Sequence, residues 1–315
     1  MKRKIEAKKE LIGTREALVV SGLADMDITD TLECGQAFRY EELCREDGYV
    51  EYLTVAMGRL IFIGQRKQGE LIFYGMDEED LPMLDGYFCL SLDYPKIREI
   101  IASATDSDWM MRATDSGKGI HILKQDAWEA LFSFIISQNN NIPRIRKIIR
   151  KLAVEYGENL AVREGISECP KKLCDGIDGE VCRECGICYS FPTPEAVVSA
   201  PEKMLEAKVG FRYKYLLDAA RRVSEGETDL KKIENAESFE VIMEELKLIL
   251  GVGDKVASCV ALFGMGRLEA FPIDVWMKRA IDEYFDGKLD HKKFGEWAGI
   301  AQQYIFHYIR NIGAN

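Results

Sequence analysis

The chain has 315 residues, of which 47% are hydrophobic and 30% charged, so its length suits two or three domains with sizeable cores. Its net charge of −11 argues against a protein that coats nucleic acid non-specifically, and no apolar run approaches the roughly 20 residues of a membrane helix. The charged N-terminus MKRKIEAKKELIGTR lacks the apolar segment of a signal peptide. We therefore expect a cytoplasmic protein whose nine cysteines are thiols or metal ligands more often than disulfides.

The first third of the chain is rich in strand-forming residues. The stretches YLTVAMGRLIFIGQ and ELIFYGM are β-branched and aromatic, and Gly58 and Gly69 interrupt them. PKIREIIASA has the pattern of a helix that begins at a proline, and the helical period dominates from about residue 120. This pattern predicts an α+β fold, in which an N-terminal mixed β-sheet domain (1–119) precedes a mainly helical region (120–315).

The helical region opens with two elements joined by a polar loop. Asp126 and Glu129 form a capping-box pattern before an apolar helix, and QNNN (138–141) follows that helix. A second helix then begins at Pro143 and ends at Gly157, and its segment PRIRKIIRK (143–151) carries five basic residues. GFRYKYLLDAARRV (210–223) carries four more. Each basic cluster is either the solvated face of a helix or part of a local groove for nucleic acid.

A cysteine-rich insert interrupts the helices at residues 167–188. It holds five of the nine cysteines, including two overlapping CxxC units. Two overlapping CxxC units in a reducing compartment suggest a zinc site or a redox pair, although their spacing matches no strong zinc-finger pattern. The alternative is a loop that tolerates cysteines. The expected zinc ligands are Cys174, Cys182, Cys185 and Cys188, with Cys169 as the fifth cysteine of the insert.

The stretch ILGVGDKVASC (249–259) places a lysine directly after a tight turn. Gly251 and Gly253 allow the backbone to approach another group closely, and Lys255 opens an apolar-periodic helix. The positive end of the helix dipole and the buried helix face both disfavour the ammonium form of a lysine. Lys255 is therefore either a nucleophilic amine beside a phosphate-binding turn or an ordinary lysine of a first helical turn.

The conjunction of this turn with Asp274 is more specific. Asp274 lies nineteen residues after Lys255, in the pattern PxDxxxxR, where a plain helix N-cap is the alternative role. At this point the chain resembles the helix-hairpin-helix DNA glycosylases, and within them the 8-oxoguanine DNA glycosylase/lyase family of eukaryotic type. The motifs that carry the resemblance follow the order of the family and span nearly the whole chain: CGQAFRY (34–40), LFSFIISQNNNIPRI (131–145), GFRYKY (210–215), the hairpin with Asp274, and AGIAQQYIF (298–306).

The resemblance implies a bifunctional enzyme that flips 8-oxoguanine out of duplex DNA, excises it, preferably opposite cytosine, and nicks the abasic site. Lys255 would attack C1′ of the deoxyribose and form a Schiff base, and Asp274 would stabilise the positively charged sugar. The damaged base would lie between Phe306 and Cys259. Gln302 would read its Watson–Crick edge, and the carbonyl of Gly35 would accept a hydrogen bond from N7–H.

The resemblance also implies DNA contacts. The amides of Gly251 and Gly253 would hold a backbone phosphate. The side chains that match the contacts to the orphaned cytosine and the wedge in the duplex are Asn139, Arg144, Arg212 and Phe211. Three residues depart from the family pattern: Leu250 stands where a proline is common, Phe211 where a tyrosine is usual, and Trp276 where a histidine contacts phosphate.

Two other readings stay open from the sequence. A monofunctional glycosylase for alkylated bases would need Asp274 but not Lys255, and a non-catalytic damage-binding protein would need neither. The expected partner is duplex DNA that contains oxidised guanine, bound by a monomer, nucleoid-associated if the source is bacterial, without membrane attachment. Catalysis would need no cofactor, and an iron–sulfur cluster is not expected because no cysteine follows Cys259.

Overall fold

Strand-forming residues build a six-stranded sheet in the first quarter of the chain. The strands are β1 (Glu6–Ile12), β2 (Arg15–Ser21), β3 (Tyr40–Glu46), β4 (Tyr49–Ala56), β5 (Arg59–Gln65) and β6 (Glu70–Tyr74). They hydrogen-bond in the order β1-β2-β6-β5-β4-β3, and the pairs β1–β2, β2–β6 and β3–β4 are antiparallel. One of the two edge strands, β1, carries charged residues, which protect an exposed sheet edge from pairing with other chains.

The computed structural model describes residues 1–166 and 186–312. The chain folds into two compact units, each assembled from separate segments. Unit 1 comprises Met1–Ala37, Gln65–Lys124 and Asp254–Asn315, and unit 2 comprises Phe38–Gly64 and Gln125–Gly253. The sequence-based division at residue 119 marks the change of hydrophobic period, and as a domain boundary it stays a prediction.

Unit 1 contains helices from both ends of the chain. Apart from the helix begun by Pro95, the short helices before residue 117 are not predicted by the sequence pattern, because six to nine residues show little more than two turns of periodicity. The helices of unit 1 are α1 (Ile28–Glu33), α2 (Leu81–Phe88), α3 (Tyr94–Ser103), α4 (Asp108–Ser116), α13 (Asp254–Met265), α14 (Val275–Tyr284) and α15 (Ala298–Ile312).

Helix α13 lies in the core of unit 1. The sequence predicts one buried face, but every residue from Val256 to Met265 is buried. A helix that is apolar all round belongs inside a fold rather than at its surface. The Lys255 end of α13 is therefore anchored by the core.

Unit 2 is mainly helical beyond its strands. Its helices are α5 (Ala127–Ser137), α6 (Ile142–Tyr156), α7 (Leu160–Arg163), α8 (Pro194–Ser199), α9 (Lys203–Glu206), α10 (Tyr213–Ser224), α11 (Leu230–Glu234) and α12 (Phe239–Lys247). The predicted helix from Pro143 to Gly157 is confirmed as α6, with Asn141 of the QNNN loop as its N-cap.

The predicted capping box at α5 is half right. The Asp126 side chain accepts from the Glu129 amide at 2.9 Å, as an N-cap does. The Glu129 carboxylate instead pairs with the buried Arg39 guanidinium at 3.2 Å. Burial raises the pKa of Glu129, while the charge of Arg39 acts to lower it. A long-range ion pair therefore replaces the local contact that the sequence suggested.

Among the described residues, the helices lack any apolar segment long enough to cross a lipid bilayer.

Candidate functional site

Lys255 and Cys259 lie one turn apart on α13. Lys255 is half-buried, and the Cys259 thiol is buried, at 3% exposure. Burial is the main cause that raises the pKa of this thiol, Lys255 lowers it through its charge and a hydrogen bond, and the charge of Asp274 raises it. The charges of the amine and of the carboxylate therefore both act on the thiol within unit 1. The thiol stays neutral and can present an uncharged surface to a ligand.

Asp274 is the N-cap of α14. Its Oδ1 atom accepts hydrogen bonds from the amides of Trp276 at 3.0 Å and Met277 at 2.9 Å. The capping role considered for this residue is therefore present. Because both bonds end on Oδ1, capping leaves Oδ2 for a second role, so the two roles are compatible.

Gly35 follows α1 in a backbone conformation that side chains rarely adopt, with φ at +95°. The neighbouring Gln36 is fully buried and fixes this turn through its amide. Its Nε2 donates to the carbonyls of Thr31 at 2.8 Å and His121 at 2.7 Å, and its Oε1 accepts from the Leu123 amide at 2.9 Å. The Gly35 backbone is therefore held rigidly, as a fixed carbonyl acceptor requires.

Helix α15 places Gln302 and Phe306 one turn apart. Gln302 is 4% exposed, and its Oε1 lacks a hydrogen-bond partner among the described residues. Since an unsatisfied buried acceptor costs about 1–3 kcal/mol, it suits a site that a polar ligand completes. Phe306 is half-buried, with the Arg310 guanidinium 5.3 Å from the ring centre.

Two contacts join α15 to the other elements of unit 1. The Gln303 amide donates to the Cys34 thiol at 3.3 Å, next to Gly35. A Cβ atom at Gly299 would lie 2.4 Å from the Leu262 side chain, so α13 and α15 approach closely there. Helix α14, which begins after Asp274, also packs against α15. The elements that carry the six predicted unit 1 residues therefore pack together. We call these residues the Lys255 cluster: Gly35, Lys255, Cys259, Asp274, Gln302 and Phe306.

The hairpin before α13 belongs to unit 2 and rests on α10. Gly251 has φ at +80°, and a Cβ atom there would lie 2.4–2.7 Å from the Tyr215 ring. The Leu250 amide donates to Asp218 Oδ2 at 2.8 Å, a bond that the proline common at this position could not make. Arg222 also donates to Asp218 Oδ2, at 3.1 Å. The Leu250 departure is therefore compensated by a bond that ties the turn to α10.

Gly253 differs from Gly251. It is exposed, and a Cβ atom at this position would meet nothing within 4 Å. The fold therefore gives no steric reason for a glycine here. A ligand that approaches the backbone closely would require one.

This contrast gives a matched pair of substitutions. We expect Gly251→Ala to lower the free energy of unfolding by about 1–3 kcal/mol, because alanine would be strained at this φ and would meet the Tyr215 ring. We expect Gly253→Ala to leave the melting temperature unchanged and to weaken binding of a DNA duplex about ten-fold. Thermal denaturation and fluorescence anisotropy measure the two effects, and normal DNA binding by Gly253→Ala would contradict the phosphate role of this turn.

The loop between α5 and α6 carries Asn139, exposed and with φ at +48°. The Arg212 side chain is 3% exposed and supports this loop. Its guanidinium donates to the carbonyls of Gln138 at 2.9 Å and Asn139 at 3.0 Å, and to Val209 at 3.2 Å. The sequence did not predict this use of Arg212, whose direct contact with a base stays a prediction.

Arg144 and Phe211 are accessible in unit 2. Arg144 is exposed in the first turn of α6, and it contributes to lowering the pKa of Arg212, after the burial of that group. Phe211 is 52% exposed, and the Arg212 guanidinium lies 4.5 Å from its ring centre. An exposed aromatic ring at a helix start, held by a cation, is suited to insert into a partner.

Four residues that support the site were missed by sequence reasoning. Gln36, Gln303, Tyr215 and Asp218 hold the turns that present Gly35 and the hairpin. Gln36, Gln303 and Tyr215 lie inside the family motifs, but nothing in the sequence indicates which atoms they contact. Trp276 is half-buried, and nothing in the structure tests its replacement of a phosphate-contacting histidine.

Of the four expected zinc ligands, only Cys188 lies within the described residues. It is buried in an apolar cluster with Leu160, Ile187 and Tyr189. Cys174, Cys182 and Cys185 lie outside the described residues, and so does Cys169. Residues 1–166 and 186–312 contain no group of three or more His, Cys, Asp or Glu side chains suited to a metal ion. The zinc site stays a prediction.

A family of known proteins and several solved structures match this chain. Residues 19–131 match the family described as 8-oxoguanine DNA glycosylase, N-terminal domain. The chain is similar to MBOgg1, solved with a low-affinity DNA ligand, with 35% identity, a TM-score of 0.79 and coverage of 98% of this chain and 99% of that one.

Two further relatives extend this comparison. The 8-oxoguanine glycosylase/lyase of Clostridium acetobutylicum, solved with double-stranded DNA containing cytosine opposite 8-oxoguanine, is 30% identical, with a TM-score of 0.79 and 99% coverage of both chains. The N-glycosylase/DNA lyase of Saccharomyces cerevisiae is 27% identical over 90% of this chain and 83% of its own length.

Proposed function

Because the chain belongs to the 8-oxoguanine DNA glycosylase/lyase family, we propose that its Lys255 cluster removes the damaged base and forms the Schiff base. The chain is a DNA N-glycosylase with abasic-site lyase activity, and its substrate is DNA that contains 8-oxoguanine. The observation that carries the residue assignment is the close packing of the buried helix α13, on which Lys255 and Cys259 lie one turn apart, against α15, which carries the buried Gln302 acceptor.

Lys255 supplies the nucleophile. Its amine nitrogen bonds to C1′ of the deoxyribose as the bond from C1′ to the base breaks, and the base departs with the bonding electrons. Opening of the sugar ring then gives an imine, from which the strand is cut by β-elimination. Anchoring of α13 in the core of unit 1 supports this assignment, because the position of the amine relative to a bound sugar is then fixed.

Asp274 stabilises the sugar as the base leaves. Positive charge develops on the ring in an oxocarbenium-like transition state, and a carboxylate beside it lowers the barrier. The two amide bonds to Oδ1 support this role because they orient the carboxylate before substrate binds.

The carbonyl of Gly35 distinguishes the damaged base from normal guanine. N7 of guanine is an acceptor, but oxidation at C8 makes it a donor, so the fixed Gly35 carbonyl attracts only the lesion. Gln302 Oε1, without a partner in the described residues, accepts from the Watson–Crick edge. Phe306 and Cys259 cover the two faces of the flipped base.

One polar contact gives about 1–3 kcal/mol of discrimination, which is too little to reject normal guanine throughout a genome. Exclusion of normal guanine before it reaches this pocket must therefore contribute.

Residues of unit 2 contact the rest of the DNA in this proposal. Asn139 and Arg144 donate to the O2 and N3 acceptors of the orphaned cytosine, and Phe211 fills the space that the flipped base leaves. Arg212 holds the loop that carries Asn139, and it reaches cytosine only if its bonds to the loop carbonyls are exchanged. The Gly251 and Gly253 amides hold a phosphate.

A three-substrate assay tests the function. The purified chain would be incubated with duplexes that contain 8-oxoguanine opposite cytosine, an alkylated purine, or no damage, each with and without borohydride. We expect base release and a trapped covalent complex only with the first duplex. Release of the alkylated base without trapping would favour the monofunctional reading, and binding without release would favour a non-catalytic one.

Choice of the opposite base gives a second prediction. Adenine presents an N6 donor where cytosine presents acceptors, so arginine donors would be poorly paired opposite adenine, at about 1–3 kcal/mol per lost contact. We expect 8-oxoguanine opposite cytosine to be excised about ten-fold or more faster than opposite adenine, since about 1.4 kcal/mol corresponds to a factor of ten.

Arg144→Ala should reduce this ratio more than it reduces excision opposite cytosine, as measured by single-turnover kinetics. Arg221→Ala, which removes an exposed arginine from α10, is the matched control and should keep the ratio of the unmodified enzyme. Equal excision opposite all four bases by the unmodified enzyme would refute this role for the arginines.

The remaining expectations are part of the proposal. The enzyme acts as a monomer in the cytoplasm, at the nucleoid if the source is bacterial, and without attachment to a membrane. Its catalysis uses no cofactor, and any zinc in the 167–188 insert has a structural role.

A further inference from the structure

The five basic residues of PRIRKIIRK are divided by α6 into two groups with different surroundings. Arg146 and Arg150 face strand β3 of the same unit. Arg146 donates to Glu41 at 3.3 Å, and its guanidinium lies 4.0 Å from the ring centre of Tyr40. Arg150 also pairs with Glu41. These two cations are therefore used by the fold.

The other three cations point away from this pairing. Arg144, Lys147 and Lys151 are exposed, and their spacing of three and four residues places them on one face of α6. None of the three has an ion pair with another residue that the structure describes. A row of exposed cations is unexpected in a chain whose net charge is −11.

These cations line a groove rather than a flat surface. A cavity of about 410 Å³ lies between them and the segment Glu206–Lys208, within unit 2. The Lys151 ammonium donates to the Glu206 carbonyl at 2.6 Å, which fixes one end of the groove. Lys208 is exposed on the opposite wall, so the described residues that line the groove include four cations and one carboxylate, Glu206. We call Arg144, Lys147, Lys151 and Lys208 the α6 basic stripe.

The length of the stripe matches a short piece of nucleic-acid backbone. From Arg144 to Lys151 the helix rises about 10 Å, at 1.5 Å per residue. Phosphates of one strand advance about 3.4 Å each along the duplex axis, so α6 would span about three of them when it lies along that axis. Regularly spaced phosphates are therefore a better match than a single small anion.

We propose that the three lysines of the α6 basic stripe, Lys147, Lys151 and Lys208, bind phosphates of the DNA strand that carries the orphaned base. This inference rests on the proposed function, because the stripe starts at Arg144, the residue assigned to the orphaned cytosine. Lys147, Lys151 and Lys208 then extend the contact along the same strand, away from the lesion. Phosphate contacts of this kind add affinity without reading sequence.

The test removes two cations that have no structural role in the groove. Lys147→Gln combined with Lys208→Gln is the stripe variant, and Lys231→Gln combined with Lys232→Gln on α11 is the control, with the same change of charge on exposed residues. Binding of an 8-oxoguanine:cytosine duplex is measured by anisotropy from 50 to 200 mM salt. We expect the slope of log K against log salt to fall by roughly 2 in magnitude for the stripe variant, at about 0.9 per phosphate, and to stay unchanged for the control.

This slope change means that the unmodified protein loses about ten-fold more affinity than the stripe variant across the salt range. Excision at saturating DNA should be equal in all three proteins, which separates this inference from the proposed function. An unchanged slope in the stripe variant, or an equal change in the control, would overturn the stripe even if excision is normal.

Uncharged methylphosphonates placed in one strand at a time identify the strand. Placed opposite the lesion, they should weaken binding by the unmodified protein and have a smaller effect on the stripe variant. If this pattern appeared only with the lesion strand, the proposed strand assignment would be wrong.

Discussion

Lys255→Gln is expected to abolish the borohydride-trapped covalent complex. Glutamine has no nucleophilic amine, so no imine can form at C1′ and the abasic site cannot be cut by β-elimination. We expect trapping and lyase activity to fall by at least about a hundred-fold, which corresponds to about 2.7 kcal/mol of barrier. Binding of the lesion duplex should change little, because the base contacts assigned to Gly35 and Gln302 are retained.

Trapping is measured by gel electrophoresis with a 5′-labelled 8-oxoguanine strand, because the 5′ fragment stays bonded to the enzyme after β-elimination, and binding is measured by anisotropy. Lys278→Gln is the matched control, since it makes the same change at an exposed lysine of α14 in the same unit. Undiminished trapping in Lys255→Gln would show that another amine is the nucleophile. A loss of trapping in both variants would point to a general effect of charge on DNA binding.

Asp274→Asn is expected to slow base excision by about a hundred- to a thousand-fold and to leave stability nearly unchanged. The geometry of the cap separates the two roles of this residue. Asparagine retains an oxygen that can accept from the Trp276 and Met277 amides, and it caps helices about as well as aspartate. The substitution therefore removes the negative charge beside the developing oxocarbenium ion, for which a loss of about 2.7–4 kcal/mol is typical of a transition-state contact.

Two further variants complete this experiment. Asp274→Ala removes the cap as well as the charge, so it should lower the free energy of unfolding by about 0.5–2 kcal/mol in addition to slowing excision. Asp93→Asn changes another helix N-cap of unit 1, at the start of α3, and should affect neither property. Single-turnover excision and thermal denaturation are the two measurements. A large fall in melting temperature for Asp274→Asn with near-normal excision would assign the residue to capping alone.

Local sequence signals predicted elements whose causes are local. Pro143 and Asn141 start α6, Gly157 ends it, and Asp274 caps α14, because each acts on backbone groups within four residues. The same locality explains the misses. The short helices α1, α2 and α4 offered too few residues to show a period, and the charged edge strand β1 had no apolar alternation that would mark it.

The ordered motifs by themselves indicated the family and therefore the chemistry. Lys255 beside a glycine turn, followed by Asp274 at the family spacing, is a pattern that needs no coordinates, because chain order and spacing carry it. The sequence could also identify Gly251 and Gly253 as a pair. It could not separate a glycine required by its φ and the Tyr215 ring from one that leaves open space for a ligand.

What only the tertiary structure decided is how each polar group is used. Glu129 pairs with Arg39, ninety residues away, instead of with the backbone at the start of its own helix. Arg212 donates to the carbonyls of the loop that carries Asn139. Two cations of α6 pair with Glu41, and the other three line a groove. The physical reason is that a buried charge or amide costs free energy unless it is paired, and its partner is whichever group the fold or a ligand brings within about 3 Å. Spacing along the chain specifies the neighbours within one turn, whereas partners from distant segments are specified only by packing.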